Sequence, residues 1–99
     1  MEHTVEYVLF PGTMGLDVTG PLEVFTTATA LLAQQQRPNA GYAARFVAAR
    51  KGPVRLSSGA EMVANADFST AGQADMLLVP GGDGIGKLAA DQNFIAYLQ

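Results

Sequence analysis

One carboxylate and one pair of glycines are the residues of this 99-residue chain best placed to do chemistry. Asp17 lies between a glycine-rich turn, Phe10-Pro11-Gly12-Thr13-Met14-Gly15, and a segment opened by Gly20-Pro21. Pro21 fits the first position of a helix, where its missing N–H costs nothing. Asp17 then stands just ahead of that helix, where the positive end of the helix dipole favours an anion. Gly81 and Gly82 follow the apolar run Asp75-Met76-Leu77-Leu78-Val79-Pro80. Lacking Cβ atoms, they let the backbone approach a ligand and turn N–H groups toward a developing oxyanion or a bound carboxylate. Plainer readings stay open beside these: Asp17 as a residue bonded to the turn backbone at a helix start, and Gly81-Gly82 as a strand-end turn.

The remaining chemistry-bearing residues point to less. The chain has no cysteine, which removes disulfides, thiolate metal sites and a thiol nucleophile from these 99 residues. His3 has no second histidine with which to share a metal and is expected to be inert in a frayed terminus. Neither a metal nor a cofactor is expected. Glu23 is expected to complement the helix dipole or face solvent. Arg45, Arg50, Lys51 and Arg55 are four of the six basic residues and fall within eleven positions, as a solvated strand end and hairpin or an interface would place them. Gly81 through Lys87 match the first seven positions of a P-loop, but Leu88 stands where magnesium needs Ser or Thr. Gly84-x-Gly86-x-x-Ala89 is a loose dinucleotide fingerprint with no testable acidic partner.

The elements that must position Asp17, Gly81 and Gly82 follow from the apolar pattern. Val5–Phe10 reads as a parallel strand buried on both faces. From Pro21 to Ala33, Leu22, Phe25, Ala28 and Leu32 recur at helical spacing with Val24 and Leu31 beside them. The polar stretch Gln34–Gly41 is a loop, Tyr42–Ala49 a second strand, and Val54-Arg55-Leu56 with Glu61-Met62-Val63 a small hairpin. Asp75–Val79 is the third main strand, and Asp91 caps a last helix lined by Phe94, Ile95 and Leu98. Strands alternating with helices give an α/β fold, a parallel sheet with helices on its faces.

Net charge of −3 and a sequence pI of about 4.8 argue against this segment itself gripping nucleic acid. The N-terminus, Met1-Glu2-His3-Thr4, carries neither the basic nor the apolar region of a signal peptide, and no apolar run approaches a membrane span. A cytoplasmic protein with no membrane partner is expected. The chain breaks off inside its last helix pattern without a stop signal, so residues 1–99 are expected to be a fragment of one larger domain, marginal alone and with an open sheet edge.

Four pieces in order, Phe10-Pro11-Gly12, Leu16–Phe25, Gly52–Gly59 and Asp75–Gly82, together resemble the ThiJ/PfpI superfamily. The resemblance covers nearly the whole chain. It implies a flavodoxin-like three-layer sandwich related to class I glutamine amidotransferases, of which residues 1–99 form only the N-terminal part. Two branches share the pattern. The strand Tyr42–Ala49 with Gly52–Gly59 and the loop before it look more like the amidotransferase-like domain of AraC-type transcription regulators of the GlxA kind. That branch implies a ligand-sensing domain, a homo-oligomer with a small-molecule effector, and DNA binding through a C-terminal domain outside this chain. The isonitrile hydratase branch implies a lyase in which Asp17 is a catalytic acid/base. In the superfamily, glycines like Gly81 and Gly82 give N–H groups to an oxyanion hole, and the usual cysteine nucleophile follows beyond the helix at which this chain stops. A degenerate dimerisation domain without a ligand is the third reading.

Overall fold

A computed structural model describes residues 3–37 and 41–99. Four parallel strands form the central sheet: β1 (His3–Val8), β2 (Tyr42–Ala48), β5 (Ala66–Asp67) and β6 (Met76–Leu78), in the order β5-β2-β1-β6. β3 (Gly52–Arg55) and β4 (Glu61–Ala64) make a separate antiparallel hairpin. The helices are α1 (Leu16–Gln34), α2 (Ile85–Ala89) and α3 (Gln92–Leu98).

Alternation along β1 divides the core. Val5, Tyr7 and Leu9 face Val18, Leu22 and Phe25 of α1, closed at one end by Val54 and Ala64 of the hairpin. Val8 and Phe10 face the other way, onto Val47, Phe68, Leu88 and Phe94. Phe68 is the hub of the second cluster, 5.3 Å ring to ring from both Phe94 and Tyr97. Burying one such phenylalanine contributes on the order of 1.5–3 kcal/mol, enough to dock a helix as short as α3. The expected α/β architecture is therefore present: a parallel sheet between two layers of helix. β6 lies at an edge, with Met76, Leu77 and Val79 exposed.

Several boundaries differ from the sequence reading. β1 begins at His3, not Val5, so His3 is not frayed; its N–H donates to Gly41 O and its ring lies 3.8 Å from Asp75. β1 ends at Val8, although Leu9 and Phe10 stay buried; Leu9 N still donates to Val47 O at 2.8 Å, and Thr13 Oγ1 takes the Phe10 N–H. The larger correction concerns α1. It starts at Leu16 from Gly15, which is itself helical (φ −58°, ψ −39°) and offers no side-chain cap. Pro21 is thus inside the helix, where it cannot donate to the Asp17 carbonyl one turn back, and Asp17 sits in the first turn rather than ahead of it. Tertiary bonds to the turn before α1 make the earlier start worthwhile, as described below. The stripe Leu22, Phe25, Ala28, Leu32 does face inward, while Val24 and Leu31 are exposed.

β5 and α2 carry no periodic signal long enough to read, being two and five residues long. α3 is capped as expected, Asp91 Oδ1 accepting from Asn93 N at 2.8 Å and Phe94 N at 3.3 Å. Its inner face, however, is Phe94 and Tyr97; Ile95 and Leu98 are exposed. Part of the expected loop Gln34–Gly41, residues 38–40, lies outside the described residues.

Candidate functional site at the β1–β6 crevice

The chain runs from β1 to β2 on one side and returns to place β6 on the other, so the strand order reverses between β1 and β6. A crevice opens at such a switch point, beyond the carboxyl ends of the strands. The turn 10–15 after β1 and the Pro80–Gly84 loop after β6 meet there.

Thr13 organises the meeting. It is fully buried, and its backbone bridges Leu56 of the hairpin on one side and Gly82 on the other. Met14 N donates to Gly81 O at 2.9 Å, Asp83 N to Gly12 O at 3.1 Å, and Ser57 N to Thr13 O at 2.9 Å. Gly12 N reaches the Arg55 carbonyl at 2.9 Å. The Thr13 hydroxyl meanwhile accepts from Phe10 N and donates to Phe10 O, which closes the turn on itself. Sequence reasoning missed Thr13. Its only signal is a β-branched hydroxyl residue between two glycines in a turn that otherwise offers no side-chain acceptor.

Gly82 is where glycine is required. Its φ is +148°, and a Cβ there would collide with the Gly12 carbonyl oxygen and the Met14 nitrogen. Gly84 is packed as closely, against the Pro11 carbonyl.

The structure brings Asp17 and Gly81 together. Asp17 Oδ2 accepts a hydrogen bond from Gly81 N at 3.1 Å, across 64 residues of sequence. This replaces the capping role considered for Asp17: its carboxylate bonds the opposite loop and not the N-terminus of its own helix. Position in the first turn still sets it against the positive end of the α1 dipole. Asp17 and Gly81 are both exposed to solvent at this end of the sheet. Among the described residues, the second Asp17 oxygen receives no hydrogen bond and the Gly82 N–H finds no acceptor. This end of the sheet therefore holds one fixed carboxylate with a free oxygen, beside a glycine N–H without a partner among the described residues. Glu23 is exposed on α1, and among the described residues no three acidic, histidine or cysteine side chains lie together as metal ligands.

The P-loop-like run does not form a phosphate cradle. Gly81–Gly84 is spent on the contacts with residues 11–14, and Leu88 is buried in the second core cluster.

Four parallel strands with helices on both faces, and a switch-point crevice lined by turn backbone, define a flavodoxin-like α/β protein. The family model described as the DJ-1/PfpI family matches residues 3–99, and the chain belongs to that family. A ThiJ/PfpI family protein from Pseudomonas syringae superposes with a TM-score of 0.75 at 24% identity, over 99% of this chain and 37% of that one. A DJ-1 superfamily protein from Salmonella typhimurium gives 0.69 at 22% identity, over 97% and 48%. These likenesses speak to the fold. An uncharacterized protein from the cpoL 5' region of Streptomyces lividans is 37% identical over 83 residues, 84% of this chain and 54% of its own length. The chain thus spans about half the length of the curated relative it matches.

Proposed function

We propose that residues 1–99 are the ligand-sensing part of an AraC-type transcription regulator, without catalytic activity of their own. In this reading the protein is cytoplasmic and homo-oligomeric, and contacts DNA only through a C-terminal domain outside these residues. A small-molecule effector is held at Asp17, Gly81 and Gly82. The observation that carries the reading is the hydrogen bond from Gly81 N to Asp17 Oδ2. It occupies one of the two N–H groups that an oxyanion hole would use, and it fixes the carboxylate as an acceptor for an effector N–H or O–H. The 99 residues contain no cysteine to act as a nucleophile. Among the described residues no helix is long and apolar enough to cross a membrane.

The second reading is the N-terminal half of an isonitrile-hydratase-like lyase with a cysteine nucleophile supplied downstream. What favours it is that Asp17 is exposed at the switch point, beside a Gly82 N–H left without an acceptor. There Asp17 would move a proton to or from the reacting group.

The test is the product of the complete gene. Effector-dependent retardation of promoter DNA, lost in Asp17→Ala, supports the regulator. Hydration of an isonitrile that disappears in Asp17→Asn, with no DNA binding, overturns it in favour of the lyase.

A further inference from the structure

A second concavity lies on the other side of the 10–15 turn, beyond the carboxyl ends of β1 and β2, and encloses about 910 Å³. Neither Asp17, Gly81 nor Gly82 lines it. Its floor is apolar, built from Phe10, Val54, Phe68 and Leu88. Its rim carries Arg50, Lys51, Arg55 and Lys87, four of the six basic residues of a chain whose net charge is −3. Three come from the β2–β3 connection and the hairpin. The fourth comes from α2, so the cluster is a product of the fold and not of local sequence.

The ion pairs among the described residues involve Arg45 and His3, not these four. Glu61 stands across the hairpin from Arg55 in register without closing an ion pair, and the Arg55 guanidinium lies over the turn near Gly59. The acidic residue on the lining, Asp91, has Oδ1 committed to two backbone N–H groups of α3. Like charges gathered around a low-dielectric floor repel one another until a counter-charge enters, and the floor rewards an occupant with an apolar body.

We infer that this cleft binds a small amphipathic anion, a carboxylate or phosphate monoester on an aromatic or aliphatic body. The head group sits among Lys51, Lys87 and Arg50, and the body lies on Phe10, Phe68 and Leu88. The cleft shares Phe10, Pro11 and Gly84 with the two loops at the crevice but none of Asp17, Gly81 and Gly82, and it stands whether the crevice senses or catalyses.

Amide NMR titration of the complete gene product tests it, with phenyl phosphate and benzoate as probes and inorganic phosphate and benzyl alcohol as controls. The expected result is saturable shift changes at Phe10, Phe68 and Leu88 with at least one aromatic anion, weakening as sodium chloride is raised. The stronger of the two anions identifies the head group. Lys51→Gln/Lys87→Gln should weaken that binding about tenfold or more, as loss of two charge-assisted contacts implies. Equal binding of benzyl alcohol, or equal binding by the double variant, overturns the anion assignment. Inorganic phosphate binding as tightly as phenyl phosphate overturns the role of the apolar floor. Absence of shifts with both aromatic anions overturns the site. Salt dependence in the wild-type chain decides the electrostatic part even if the double variant fails to fold.

Discussion

Two carboxylates, on opposite sides of β1, show how position decides what an acid can do. Asp17 is exposed at the crevice and accepts one backbone N–H. Glu6 is 2% exposed on the face of the sheet that packs α3, and both its oxygens are engaged. Arg45 Nε donates to Oε2 at 2.5 Å, and Tyr97 OH donates to Oε1 at 2.5 Å. Arg45 is in turn oriented by the Gln73 carbonyl at 3.0 Å. A buried, saturated carboxylate has nothing left for a ligand; it ties β1, β2 and α3 into one arrangement. An exposed carboxylate with one oxygen unengaged has given up little and can still receive a partner. The first is structure and the second is opportunity.

The comparison breaks first at Arg45. Arg45→Met should destabilise the chain by about 3–5 kcal/mol in urea denaturation, because Glu6 is left as an uncompensated buried charge. Adding Glu6→Leu to that variant should recover much of the loss, as apolar replacement of a whole buried pair often does. A single variant within 1 kcal/mol of wild type, on the order of a surface ion pair, would show that the network is not a strut.

Gly82→Ala comes next, at about 1–3 kcal/mol, since a side chain at φ +148° against the Gly12 carbonyl forces the two loops apart. It should also lose any ligand that binds the crevice. Gly81→Ala should be milder, because its Cβ would meet only the Asp17 carboxylate at 3.1 Å, the movable end of a side chain. Comparable thermal shifts for the two would contradict the close approach described for Gly82.

Tyr97 sharpens the comparison through pH. Burial, and then the neighbouring Glu6, raise its phenol above the ordinary value. Burial also raises Tyr7, which has no hydrogen-bond partner among the described residues. A group with a raised folded pKa contributes stability that is whole below the unfolded value of about 10 and is lost as pH rises beyond it. Stability should therefore fall above about pH 10, and Tyr97→Phe should flatten that fall while costing about 1–3 kcal/mol at neutral pH. Equal alkaline slopes in the two proteins would remove Tyr97 from the network.

The smallest effect is expected at Asp17. Asp17→Asn keeps an oxygen for the Gly81 N–H and should change stability by less than about 0.5 kcal/mol. A loss as large as that of Arg45→Met would erase the contrast between the two acids.

Much of the frame was legible in the residues. A first strand stopped before Pro11, a hairpin around Val54-Arg55 and Glu61-Met62-Val63, the inward stripe of α1 and the Asp91 cap follow from local rules of periodicity, turn chemistry and capping. The pairing of Asp17 with the glycine loop was legible only as separate candidates. The Glu6 network was not legible, because a glutamate in a strand carries no mark of the partners that β2 and α3 will bring to it. The start of α1 was misplaced for a related reason. Pro21 is a strong local signal for a first helical position, but bonds from Thr13, Met14 and Asp17 to the hairpin and the β6 loop extend the helix past it.

By itself, then, the sequence determined the alternation of its longer strands and helices, that one carboxylate would lie near a helix start, and that glycines would follow the last strand. Those are consequences of short-range sterics and of the apolar period. Only the tertiary structure decided that Asp17 bonds Gly81 and not its own helix, that Thr13 joins three segments, and that Lys87 stands with Arg50 and Lys51 around one cleft. Each of these depends on which strand ends the sheet places side by side, and that placement is set by long-range burial which no local spacing encodes.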